Sequence, residues 1–328
     1  MDNVAESGVF ISWIKYHGRS QSLGDALGYK VVFVETSAKN PIARYIASAV
    51  KTVRELYKVK PQAVAIMMPP IPLLIAIRVF SLFNPVVIIA DLHSGVFLDP
   101  KWSWALPSTL RLLRRCDVAV VTNPELRAVC EAKNIETKVV HDPLPLRSGL
   151  TNADVPRRED HLIVVPLSYS NDEPIQELLA AARLTPNLNW KLTGHAPEVI
   201  RDQAPSNVTF TGYLEHEQYE QLLQTASVLV ALTNRPHTMQ RAAYEALAMA
   251  TPIVTSDFAE LRTYFGSAAE YTPADSTSIA RAVLSAYADR TTGVRHLHAK
   301  FTEKSEEEER ILAELRSVVA RKLDGANA

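Results

Sequence analysis

Cysteine is nearly missing from this 328-residue chain: Cys116 and Cys130 are the only two, and their spacing fits neither a disulfide framework nor a metal motif. They read as core thiols of a reducing compartment. Charge of one sign is also missing. The formal net charge is −1, so no global field draws nucleic acid. No window reaches about 18 uninterrupted apolar residues, which argues against a transmembrane helix. The opening MDNVAESGVFISWIKYHG has neither the basic start nor the long apolar run of a signal peptide, and a cytoplasmic location is expected. There is no internal repeat, no low-complexity tract and no G-x-S-x-G elbow. Gly18 is followed by Arg-Ser-Gln-Ser, so no glycine-rich dinucleotide fingerprint follows the first strand. His93, His141, His195, His216 and His237 are scattered without zinc spacing. No D-x-D stands in a polar loop of the kind that holds a divalent ion and a diphosphate. Metal chemistry and a bound cofactor are therefore not expected.

What is present is a long alternation of short apolar runs and helical periods in a chain that is 47% apolar. In the first half the runs are Val9–Trp13, Lys30–Val34, Ala63–Met67, Val86–Ala90, Val118–Thr122 and Thr137–His141. Being apolar throughout rather than alternating, they predict parallel strands covered on both faces. Helices are expected at Ile42–Tyr57 and Trp104–Arg115. The polar, proline-rich stretch Asp142–Asp160 reads as a linker. A second series restarts with His161–Pro166, Trp190–Thr193, Val208–Phe210, Ser227–Leu232, Pro252–Thr255 and Ala269–Tyr271, with helices at Pro174–Arg183, His216–Thr225, Met239–Met249 and Ser276–Asp289. The tail Glu303–Leu323 reads as a charged amphipathic helix whose EEEE run is a solvated face. The expectation is α/β, with two Rossmann-like domains over residues 1–150 and 151–328, facing each other across a ligand-binding cleft, plus a C-terminal helix. Ile71–Asn84 (IPLLIAIRVFSLFN) has two readings: a buried helix, or a face that touches a lipid-linked acceptor or a membrane surface.

The densest chemistry lies in Arg235–Asp257. A strand, a polar loop, an alanine-rich helix and a strand follow in turn, the unit that presents a helix N-terminus to an anion at the carboxyl edge of a parallel sheet. Glu245 lies one to two turns into that helix, where a carboxylate can accept from sugar hydroxyls. Arg241 lies four residues earlier, as a diphosphate clamp or as the partner of a surface ion pair with Glu245. In the first half, Asp91 and His93 follow a buried strand and precede Gly95, so either can be a base; the alternative is a turn cap and a packed loop histidine. Arg19 and Ser20 open a helix suited to phosphate or sugar hydroxyls, with a plain N-cap by Ser20 as the alternative. Gly194 ends a strand, where it lets backbone approach a ligand or merely turns.

These elements occur in an order that resembles the GT-B glycosyltransferases of the family-4 type. Gly18-Arg19-Ser20 and Gly28-Tyr29 are followed by MMPPIPLLIAIRVFSLFNPVVIIADLHSG, DVAVVTNPELRAVC, VVHDPLP, PLSYSNDEPIQELLAAA, LTGHAPEVI, VTFTGYLEHEQYEQLLQTASVLVAL and EALAMATPIVTSD, together most of the chain. The segments DLH, VHDPLP and SYSNDE are most similar to the chitobiosyldiphosphodolichol β-mannosyltransferase branch, which moves mannose from GDP-mannose to a lipid-linked acceptor in the cytosol. The resemblance implies that Glu245 binds the ribose and that Tyr213, in Gly212-Tyr213-Leu214, meets the base. It also shows departures. Where many members carry two glutamates eight positions apart, the first position here is His237. Where they place an Arg and a Lys, Ser168–Glu173 holds no cation, so Arg241, Arg19 or the helix start must meet the phosphates.

The implied activity is transfer of a sugar from a nucleotide sugar, bound mainly by the second domain, to a glycan or lipid-linked glycan acceptor on the first. Domain closure would exclude water. Two rivals stand beside it: a non-catalytic sugar-binding or partner subunit of a glycan-assembly complex, motivated by His237 and the absent cations, and a nucleotide-sugar epimerase on the same fold.

Overall fold

A computed structural model describes residues 8–144, 158–290 and 293–326. The chain divides into two compact units, Met1–Pro143 with Glu307–Ala328, and Leu144–Glu306. Most of the expected linker, residues 145–157, lies outside the described residues.

In chain order, the first unit contains β1 (Gly8–Ser12), α1 (Gly18–Leu27), β2 (Lys30–Phe33), α2 (Pro41–Val59), β3 (Ala63–Met68), α3 (Ile71–Ser81), β4 (Val87–Leu92), α4 (Ser94–Leu98), α5 (Pro100–Ser103), α6 (Leu106–Leu113), β5 (Val118–Val121), α7 (Pro124–Glu131) and β6 (Thr137–Val139). The strands form one sheet in the order β2-β1-β3-β4-β5-β6, and every pairing is parallel. The uniform apolar runs are explained by burial on both faces. Ile11, Ile66, Ala90 and Val121 pack with the inner sides of α2, α3, α6 and α7. Phe10, Ala65, Ile89 and Val120 face the opposite way. Both cysteines are free; burial pushes the thiol of Cys116 up to about 12 and that of Cys130 up to about 11.

The second unit contains β7 (Leu162–Val165), α8 (Ile175–Leu184), β8 (Asn189–Thr193), α9 (Glu198–Arg201), β9 (Val208–Gly212), α10 (His216–Thr225), β10 (Val228–Ala231), α11 (Arg241–Ala248), β11 (Ile253–Ser256), α12 (Ala259–Phe265), β12 (Ala269–Thr272), α13 (Ser276–Ala288) and the start of α14 (Val294–Ala326). Its sheet is also parallel, in the order β12-β11-β10-β7-β8-β9. In each sheet the strand order reverses beside the first strand, at β1/β3 and at β7/β10. The crevice outside the carboxyl ends at such a reversal is where open α/β sheets bind ligands.

The tail helix differs from its expected bounds. It begins at Val294 rather than Glu303 and is 33 residues long. Its early residues Val294 and Leu297 pack in the second unit. Its later residues Leu312, Leu315, Val318 and Val319 close the α1 face of the first sheet, where Lys138 and Glu136 pair with Glu314 and Lys322. The 3.6-residue period showed which side is apolar but not which sheet it covers. Leu315 is fully buried, so Leu315→Ala should cost about 2–5 kcal/mol. A lower denaturation midpoint of the whole chain checks this, with the exposed Leu284→Ala expected to stay within about 0.5 kcal/mol of the parent.

Candidate functional site

In the first unit the site centres on Arg19. The helix that carries it starts at Gly18. Its N-cap is His17, whose Nδ1 accepts from the Ser20 backbone N–H. Ser20 is therefore not the cap; it is buried, with its hydroxyl near His17 Nδ1 and Ser12 Oγ. Arg19 is 2% exposed. Its Nε and Nη2 donate to Asp91 at 2.7–3.1 Å, its Nη1 to Asp142 Oδ1 at 2.8 Å, and its Nη2 also to the Val140 carbonyl at 3.0 Å. Its guanidinium thus engages two carboxylates rather than an open surface. Burial alone would raise the Asp91 pKa, but Arg19 and then His93 outweigh it and hold this carboxyl well below the usual carboxylate range. Asp91 is fully buried. His93, with 23% of its side chain exposed, places Nε2 3.2 Å from Asp91 Oδ2. The His17 ring meets the His93 ring edge-on at 4.8 Å. Asp91 therefore orients His93, and His93 is the member of the pair that reaches solvent.

The second unit carries its site at the β7/β10 reversal. The loop after β7 is cross-linked to the loop after β10. Thr233 Oγ1 donates to Asp172 Oδ2 at 2.8 Å, the Asn234 N–H to the Asp172 carbonyl at 2.6 Å, and Arg235 Nη2 to Asn171 Oδ1 at 3.0 Å. Arg235 thus brings a cation against the Ser168–Glu173 segment, with Asp172 Oδ1 4.0 Å from its Nη2. Of the two side chains expected to meet the phosphates, Arg19 is buried in the first unit, and Arg241 Nε pairs with Glu245 at 3.0 Å with a third of its side chain exposed. His237 takes a left-handed backbone, φ 58°. Its N–H donates to Glu260 Oε1, and its Nδ1 lies 3.7 Å from the same oxygen. Glu260, 6% exposed at the side chain, comes from the first turn of α12. Glu260 thus brings a carboxylate against His237 from an element 23 residues further along. Only the tertiary structure could show it.

Glu245 is held at both oxygens. Tyr219 donates its hydroxyl to Oε2 at 2.8 Å, and Arg241 Nε donates to Oε1. Burial, then Glu245, pushes the Tyr219 phenol well above its ordinary range, so it stays a donor. Gly194 sits at φ 82°, and a Cβ there would lie 2.1 Å from the Leu167 carbonyl oxygen. Its glycine is required by this approach of two loops. Gly194 N–H donates to the Gly212 carbonyl at 2.9 Å, which brings two strand ends together. There the rings of His195 and Tyr213 stack at 5.9 Å and 17°, forming an exposed aromatic platform. Tyr213 was legible; His195 read only as a loop residue. Among the described residues, no three His, Cys, Asp or Glu side chains converge as metal ligands would.

Residues 162–289, all in the second unit, match the sequence profile of the family described as Glycosyl transferases group 1. No curated protein matches the chain. Among solved structures, the chain is similar to a sucrose-phosphate synthase from Thermosynechococcus elongatus (16% identity, TM-score 0.71, 98% of this chain and 100% of that one). It is also similar to HepE of Anabaena in complex with UDP-glucose (12%, 0.69, 97% and 99%), and to a UDP-forming α,α-trehalose-phosphate synthase from Burkholderia xenovorans (13%, 0.66, 98% and 99%). At these identities the likeness establishes the fold, which is the GT-B-like α/β arrangement.

His17 gives the site a pH signature. Burial first, then the neighbouring His93, lowers its pKa from 6.5 to about 4 against the opposing pull of Asp142 and Asp91. Between those values the unfolded chain binds the proton and the folded chain does not. Stability is therefore full above pH 6.5 and falls by up to about 3 kcal/mol as pH drops towards 4. His17→Asn keeps an N-capping side chain and removes the titration. Urea denaturation across this window should give a shallower slope for that variant.

Proposed function

We propose that this protein is a glycosyltransferase whose second unit binds a nucleotide sugar and whose first unit binds a glycan acceptor. Glu245 carries the reading. It is a half-buried carboxylate fixed by Tyr219 and Arg241 on the helix that follows the β7/β10 reversal, within the segment that matches the glycosyltransferase profile. The His195–Tyr213 platform takes the base by stacking, and Glu245 accepts from the ribose hydroxyls. Arg235 and the N-terminal end of α11 face the diphosphate. Glu260 and His237 hold the donor sugar. HepE, one of the similar structures, binds UDP-glucose, which supports a nucleotide sugar as ligand.

In the first unit His93 is the base. Its Nε2–H donates to Asp91, which leaves Nδ1 to accept a proton. In transfer, the bond from the anomeric carbon to the diphosphate breaks and the nucleoside diphosphate departs with the electron pair. The acceptor oxygen forms the new glycosidic bond, and its proton goes to His93. Asp91 is the positioning residue, because its depressed pKa makes it a poor proton acceptor.

A lipid-linked acceptor fits the outer surface of the first unit. No described helix is long and apolar enough to cross a membrane. Ile71–Asn84 has one buried face, with Leu73, Leu74, Ile77 and Phe80, and one exposed apolar face, with Ile75, Val79, Leu82 and Phe83, and the exposed face supports the lipid-contact reading. The first half of the neighbouring α2 is inverted, with Ser48 and Thr52 buried and Ile42, Ile46 and Val50 exposed at four-residue intervals, while Leu56 in its second half is buried. Exposed Lys51, Arg54 and Lys58 accompany them. Apolar side chains framed by cations suit the surface of an anionic bilayer.

A thermal-shift screen of UDP, GDP, dTDP, ADP and their sugars tests the donor site. At 100 times its dissociation constant one nucleotide should add about 2.7 kcal/mol of stability, and Glu245→Ala should abolish that shift. A GDP-mannose hit would place the donor with the mannosyltransferase branch; silence from every nucleotide would favour a non-catalytic subunit. With donor and acceptor in hand, His93→Ala should lower kcat about 10²–10⁴-fold without changing donor affinity. Sedimentation with vesicles should recover the protein on phosphatidylglycerol but not on phosphatidylcholine alone, and the double change Ile46→Ser, Phe83→Ser should abolish recovery.

A further inference from the structure

Outside the groups already described, the first unit holds a built cavity of about 390 Å³ at the carboxyl ends of β1, β2 and β3, the β1/β3 reversal itself. Its volume is that of a small-molecule site. Three aromatic rings wall it. Trp13, just after β1, is pinned by an Nε1–H bond of 2.8 Å to the buried Thr52 hydroxyl. Tyr45 stacks on Trp13 at 6.2 Å and 24°, and Trp102 meets Tyr45 edge-on at 6.4 Å. The inverted polarity of α2 has its local reason here, since Thr52 and Ser48 face inward to serve this wall.

The same cavity is lined by Lys15, Arg44 and Lys101 against one carboxylate, Glu35. Among the described residues none of these cations has a carboxylate partner. Arg44 and Lys101 instead lie over the Tyr45 and Trp102 rings, at 5.6 and 5.4 Å. Thr36, also on the lining, has a buried hydroxyl oxygen with no hydrogen-bond partner. Met67 of the lining is the register partner of Asp91. Trp102 follows His93 through two short helices. One lining residue thus stands on the strand next to Asp91.

Flat aromatic walls take the C–H faces of a pyranose, and a threefold excess of unpaired cations takes an anion on it. We infer that this cavity binds a sugar bearing a phosphate, as the acceptor headgroup of the reaction proposed above. The inference rests on that reading for its catalytic meaning, but not for the binding itself. A free sugar phosphate and a sugar joined through phosphate to a lipid share this chemistry.

Calorimetry of the full chain tests it with three sets of probes: glucose, mannose and fructose 6-phosphates, the same sugars without phosphate, and a lipid-diphosphate-linked N-acetylglucosamine in detergent. At least one phosphorylated probe should bind ten-fold or more tightly than its unphosphorylated partner, and more weakly as salt rises. Binding by the hexose phosphates identifies a soluble acceptor, and binding by the lipid-linked probe alone a membrane-borne one. Arg44→Ala and Lys101→Ala, both at exposed positions, should each weaken it at least ten-fold, and Trp102→Ala likewise, with unchanged melting temperatures and unchanged nucleotide shifts. Equal binding of phosphorylated and plain sugars, no binding by any probe, or full affinity in Arg44→Ala and Lys101→Ala would overturn the inference. Phosphate-dependent binding without sugar transfer or nucleotide binding would leave this site standing and sink the transferase reading instead.

Discussion

The buried guanidinium of Arg19 is the constraint on which the first unit depends. One side chain ties the start of α1 to Asp91 at the end of β4 and to Asp142 beyond β6, across 72 and 123 residues of sequence. Taking such charges out of water costs several kcal/mol for each ion, and close opposite charges and hydrogen bonds must offset that cost. Arg19 directs its Nε–H, both Nη2–H groups and one Nη1–H to two carboxylates and a backbone carbonyl. The arrangement is weak evidence for stability but fixes position strictly. An Asp91 that cannot move and cannot take a proton near neutral pH presents His93 in one orientation. The ionic core and His93 are therefore consecutive layers of one arrangement, the inner layer fully buried and the outer reaching solvent.

The second unit solves a comparable problem with loops. Asp172 and Thr233 bind the two loops that flank the β7/β10 reversal, and Ser256 both donates to and accepts from Thr233 backbone groups. Arg235 and His237 lie on the strap so formed. Glu260 supplies its carboxylate to the backbone of His237 from the next helix. Arg235 and Glu260 thus bring a cation and a carboxylate to the loops after β7 and β10 from outside the Ser168–Glu173 segment.

All twelve expected strands occur, because a run such as VVIIA buried on both faces has few other outcomes. Glu245 was legible for a similar reason. Its helix is short, local and bounded by two strands, so the sequence alone shows where the carboxylate must stand. Arg19 and Ser20 were assigned to the right helix start, yet their surroundings were not readable. Nothing local says that a basic residue beside Gly18 will be enclosed by carboxylates more than 70 positions away. The same limit hid Glu260, His195 and the cavity of Trp13, Tyr45 and Trp102, whose walls come from three separate crossovers.

Local pattern by itself determined the α/β class, the two series of strands and the carboxyl-edge location of the chemistry, because hydrophobic period and chain order act over a few residues. Tertiary structure alone decided which charges cancel and which stay available. It buried Arg19 and left Lys15, Arg44 and Lys101 around a cavity, though all are basic side chains in or beside helices. It also divided one continuous helix between two units. The physical reason is the same in each case: the cost of an ion or an apolar face depends on what the fold brings against it, and residues distant in sequence supply that.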